Sequence, residues 1–113
     1  MLGSGLVRYL SAVVVMELRA GAHSRSSRLT IDHLVRVYRA SDRLIAPPDA
    51  AFDRAGPVLR RLKLAGREVR SASLVNDVLI ALGARTIGAT VVTANLSDFE
   101  AIRQIEPFAL ERA

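Results

Sequence analysis

Three carboxylates, Glu17, Asp77 and Asp98, stand where they could act together. Each comes from a separate segment of the chain. Convergent carboxylates without thiolates or a histidine cluster suit a hard, six-coordinate cation such as Mg2+ or Mn2+. Such an ion lowers the pKa of a bound water and stabilises charge building on a phosphodiester. The sequence contains no Cys, and its only histidines are His23 and His33. That excludes a disulfide scaffold, a Cys nucleophile and a multi-His zinc centre. Each acid also has a plain structural role. Asp77 and Asp98 fall near predicted helix starts, where a carboxylate is favoured by ~0.3–1 kcal/mol without any function. Glu17 is the most informative, because it interrupts the apolar run Val-Val-Val-Met-Glu-Leu. Ser11 reads as a helix cap, and Glu100 as the reciprocal partner of Ser97 in a capping box.

The elements that must position these groups alternate between short strands and helices. Leu6–Leu10 reads as a strand. Residues 11–21 are ambiguous: consecutive valines favour a strand, whereas Ser11 as N-cap and Gly21 as stop favour a helix. Residues 27–40 form a helix with Leu29, Leu34, Val37 and Tyr38 near its inner face. Leu44-Ile45-Ala46 is a short buried strand that Pro47-Pro48 terminates. A helical segment from Asp49 to about Ala65 is ended by Gly66, and Pro57 inside it predicts a kink or a break. Ser73–Ile87 is the clearest helix, with an apolar stripe of Leu74, Val75, Val78, Leu79 and Leu82, closed by Gly88. Thr90–Thr93 follows as a strand, Ser97 opens another helix, and Phe108–Leu110 is a last strand. Strands alternating with helices predict an α/β fold with a parallel sheet covered on both faces. In such sheets ligands bind beyond the carboxyl ends of the strands, which places Asn95 and Asp98 on that rim.

At 113 residues the chain has the length of one domain, with half of its residues apolar and 24% charged. The charge is unevenly placed: residues 1–70 carry 13 Lys/Arg against 6 Asp/Glu, and residues 71–113 carry 3 against 5. A basic first part beside an acidic remainder suits a polyanion held by one face. Arg as the preferred solvated cation explains the same numbers, since 15 of the 16 basic residues are Arg. Two Tyr, three Phe and no Trp argue against a base-stacking platform. No apolar run approaches the ~20 residues needed to cross a bilayer, and Glu17 and Arg19 spoil any signal-peptide pattern. A cytoplasmic protein with no membrane association is expected.

Leu10-Ser-Ala-Val-Val-Val-Met-Glu-Leu-Arg-Ala-Gly21, Asn76-Asp-Val-Leu-Ile-Ala81 and Val92-Thr-Ala-Asn-Leu-Ser-Asp-Phe99 resemble three of the four signature blocks of PIN-domain nucleases. The likeness is to the VapC-type toxins of toxin–antitoxin pairs, and it runs over essentially the whole chain. It implies a three-layer α/β/α PIN-like domain over residues 1–113 with a short parallel sheet, and a helix over residues 11–21. It also implies a Mg2+- or Mn2+-dependent endoribonuclease in which Glu17, Asp77 and Asp98 are catalytic metal ligands. Ser11 and Asn95 would orient water or substrate. The partners implied are RNA, a small cognate antitoxin and a second copy in a homodimer.

One departure bears on activity. The family opens on a strand ending in an Asp ligand, and this sequence has no Asp before Asp32. The resemblance therefore implies a domain lacking its first strand, with impaired nuclease activity. The alternative is a catalytically inactive PIN-like module that binds an antitoxin or RNA.

Overall fold

The computed structural model describes residues 7–113 of the chain. Its contacts divide the chain into two compact units, the first ending at Ala46 and the second spanning Pro47–Ala113. Leu6, at the start of the predicted first strand, and the Gly3-Ser-Gly5 stretch lie outside the described residues.

The first unit contains β1 (Leu10–Ser11), α1 (Ala12–Ala20), α2 (Arg25–Ala40) and β2 (Leu44–Ile45). Ser11 settles the ambiguity over the valine run. Its side chain accepts a hydrogen bond from the Val13 amide at 3.1 Å and starts the helix. A satisfied N-cap outweighs the few tenths of a kcal/mol by which Val disfavours a helix. Ser24 caps α2 by accepting from the Ser27 amide at 3.0 Å. β1 and β2 pair in parallel, Leu10 opposite Leu44 and Ser11 opposite Ile45. The buried apolar residues of this unit are Val13, Ile31 and Val35. α2 is thus rotated from the expected face: Leu34 and Tyr38 are half-buried, while Leu29 and Val37 are exposed.

The second unit contains α3 (Asp49–Leu64), α4 (Ala72–Thr86), β3 (Val91–Thr93), α5 (Leu96–Ile105) and β4 (Leu110–Arg112). α3 stays one continuous helix through Pro57. Burial of Ala51, Ala55, Val58 and Leu62 holds both halves of it on the core, so the lost backbone bond does not split it. Both predicted stops are left-handed glycines, Gly66 at φ 93° and Gly88 at φ 68°. Each permits a double backbone closure: Arg67 to Leu62 and Gly66 to Lys63 after α3, Ala89 to Ala84 and Gly88 to Arg85 after α4. The core joins Val58 and Leu62 of α3, Leu74, Val78, Ala81 and Leu82 of α4, Val91 of β3, and Phe99 and Ile102 of α5. Phe108 meets Phe99 edge-to-face, with ring centroids 6.4 Å apart. β3 and β4 pair in parallel, with Val91 opposite Leu110. The last strand therefore begins two residues later than predicted.

Two expectations are corrected here. Among the described residues there is no three-layer α/β/α PIN-like sheet: the strands form two separate two-stranded sheets, and the five helices carry most of the burial. The physical reason is strand length. Pairings two or three residues long offer too few ladder bonds to organise a wide sheet, and Pro47-Pro48, lacking backbone donors, follow directly on β2 and Ala46. The Ser97–Glu100 capping box does not form either, because α5 starts at Leu96 with Asn95 as its N-cap. Glu100 instead receives Arg103 at 2.6 Å, one turn along.

Candidate functional site

The residues singled out by sequence are divided between the two units. In the first unit, the Ser11 hydroxyl is spent on the α1 cap, and Glu17 lies exposed on α1. In the second, Asp77 is buried on α4 next to Asn76. Asp98 lies in the first turn of α5 and accepts a hydrogen bond from Arg67 Nη1 at 2.5 Å. Asn95 is exposed, and its amide donates to Thr93 Oγ1 at 3.1 Å, turning the chain from β3 into α5. Within either unit, taken among the described residues, no group of three or more His, Cys, Asp or Glu could hold a metal ion. Asp98, one of the three expected ligands, is paired with Arg67.

Sequence reasoning missed Glu106, an acid of the second unit that two arginines engage. It follows α5 directly and is only 6% exposed. Arg54 Nε of α3 and Arg85 Nη1 of α4 both donate to it, one to each carboxylate oxygen. Burial pushes the Glu106 carboxyl up, but the Arg54 hydrogen bond and the charges of Arg54 and Arg85 outweigh it, leaving the pKa below the ordinary value. Nothing local signals this residue, because its partners lie 52 and 21 positions away. A second cleft opens beside the same two guanidiniums, with a volume of about 260 Å3, lined by Ala50, Ala51, Arg54, Leu82, Arg85 and Thr86.

In the first unit, α1 and α2 enclose an open cleft of about 480 Å3, lined by Arg19, Asp32, Val35, Arg36, Arg39 and Ala40. Arg19 donates to Asp32 at 2.8 Å across the two helices. One carboxylate against three guanidiniums leaves the cleft positive. The same helices expose large apolar side chains: Met16 and Leu18 on α1, Leu29 and Val37 on α2.

No family model and no curated protein matches the chain. Four chains of solved structures do, among them two from DNA-bound assemblies. A crystal structure of VapBC2 from Rickettsia felis bound to a DNA fragment from their promoter matches with 25% identity and a TM-score of 0.67, over 93% of this chain and 74% of that one. A structure of FitAB bound to an IR36 DNA fragment matches with 20% identity and a TM-score of 0.68, over 96% of this chain and 77% of that one.

These findings correct the functional expectation. The similar structures are of assemblies bound to DNA. On that likeness the reading as a PIN-domain ribonuclease of the VapC type is withdrawn. The hydrolase and metal-binding roles go with it, and so does the inactive PIN-like module. Asp98 has a local reason to be where it is, the dipole at the first turn of α5 and the Arg67 pair, whereas Asp77 lies past the first turn of α4 that the sequence predicted for it. No helix among the described residues is long and apolar enough to cross a membrane.

Proposed function

We propose that this chain is a subunit of a two-protein complex that assembles on DNA, of the toxin–antitoxin kind to which VapBC2 and FitAB belong, and that it contributes binding rather than catalysis. The observation that carries this reading is the α1–α2 surface, whose cleft holds Arg19, Arg36 and Arg39 and whose two helices leave Met16, Leu18, Leu29 and Val37 exposed. The similarity to two DNA-bound assemblies supports it. The cognate partner protein would lay an amphipathic, acidic segment on this face. Its apolar side chains would cover those of α1 and α2, and its carboxylates would meet the arginines. A net charge of +5 favours DNA as the third member of the assembly, with binding that weakens as salt rises.

The test is co-purification with the product of the adjacent reading frame, followed by mobility-shift titration on the promoter that precedes the pair. Leu29→Asp and Val37→Asp, at positions already exposed, should weaken partner binding about 100-fold, a loss of about 2.7 kcal/mol. Both variants should leave the thermal unfolding of the isolated chain unchanged. Tight partner binding by the double variant, or a DNA shift unaffected by the partner, would overturn the proposal.

A further inference from the structure

We propose that the cleft between the first turn of α3 and the last turns of α4 binds a phosphate group, gripped by Arg54 and Arg85. Three features of the second unit converge there. Arg54 and Arg85 line the cleft from two different helices. Each is about half exposed, at 49% and 48% of its side chain, so the pairing with Glu106 leaves both accessible to solvent. Glu106 neutralises only one of the two charges and has both of its oxygens occupied.

The donor inventory sets the ligand class. A guanidinium carries five N–H donors in a fixed fork. Arg54 uses Nε on Glu106 and Arg85 uses Nη1, which leaves donors on both forks for an incoming anion. Two forks presented together suit an anion with three or more acceptor oxygens, which a phosphate has and a carboxylate lacks. Glu106 also fixes the spacing of the pair in advance, so little side-chain freedom is lost on binding. Asp49 and Asp53 of the same helix do not line the cleft, and Ala50 and Ala51 leave its floor open. Thr86 closes the far wall, its hydroxyl donating to the Leu82 carbonyl at 2.8 Å.

The phosphate could come from a small phosphate compound or from a nucleic-acid backbone, and the experiment separates the two. The Arg54 and Arg85 Nε–H signals of the full chain are followed by NMR at constant ionic strength. The added probes are inorganic phosphate, adenosine monophosphate, a short DNA duplex, acetate and chloride. Saturable shifts of both signals with phosphate and the monophosphate, absent with acetate and chloride, are expected. A response to the duplex at lower concentration assigns the backbone as the source; a response to the two small compounds alone assigns free phosphate compounds. Arg54→Lys and Arg85→Lys keep the charge facing Glu106 but remove the fork, and each should weaken phosphate binding at least tenfold. Equal shifts with chloride or acetate, or lysine variants that bind as tightly as the parent, would overturn the proposal. The wild-type titration decides the matter even if a variant fails to fold.

Discussion

Replacing Glu106 with Gln removes one charge while keeping shape and one acceptor oxygen, and its cost can be worked from the geometry. The Glu106 side chain is 9% exposed, whereas Arg54 and Arg85 remain 49% and 48% exposed. A hydrogen bond to a charged group contributes about 1.5–3 kcal/mol, and partners half in water pull that to the lower end. Gln retains part of one bond, so the expected destabilisation is about 2–3 kcal/mol at pH 7. At about 4–8 °C per kcal/mol for a unit of this size, the melting temperature should fall by roughly 10–20 °C.

The pH dependence isolates the charge. The folded pKa of Glu106 is lowered from its ordinary value of 4.5, so its ionised form stabilises the fold above the unfolded value. That contribution is lost as pH falls through the depressed folded value. Urea unfolding of parent and E106Q should therefore show a full gap at neutral pH. The gap should shrink steadily on acidification below 4.5. Other carboxylates titrate in both proteins and cancel in the difference. A gap below about 0.5 kcal/mol at pH 7, within the scatter of ordinary surface substitutions, would refute the reasoning. So would a gap independent of pH, which would assign the loss to packing rather than charge.

Three further substitutions test the account of α3. Leu62→Ala empties a position only 1% exposed and should cost about 2–5 kcal/mol in urea unfolding, while Leu64→Ala, at a position 82% exposed, should stay within about 0.5 kcal/mol. Gly56→Ala adds a methyl group with nothing within 4 Å beyond its chain neighbours and the helix's own backbone. Pro57 crowds a helical residue before it, however, so the gain should fall short of the about 0.5–1 kcal/mol usual for this change, read from the urea midpoint at unchanged slope.

Features of local origin were legible in the sequence. Ser11 starts α1 because its oxygen reaches an amide two residues ahead, and Gly66 and Gly88 end α3 and α4 because a left-handed turn there suits a residue without a side chain. Hydrogen bonds spanning two to five residues depend on neighbours in the chain alone, so helix positions follow from the residue order. The parallel sense of both strand pairs was legible too, since helices separate the paired strands.

Tertiary packing decided the rest. The expected stripe on α2 placed Leu29 and Val37 inward, yet Ile31 and Val35 are the residues buried. Periodicity gives the spacing of an apolar face, but several overlapping faces satisfy it, and only the packed neighbours select one. Asp98 is paired with Arg67, 31 positions away in the chain. Glu106 carried no signal until α3 and α4 brought Arg54 and Arg85 to its two oxygens. Ionic partners are chosen by distance in space, and a Coulomb attraction that falls off with separation and screening leaves no trace in residue order when the charges meet only after the helices have packed.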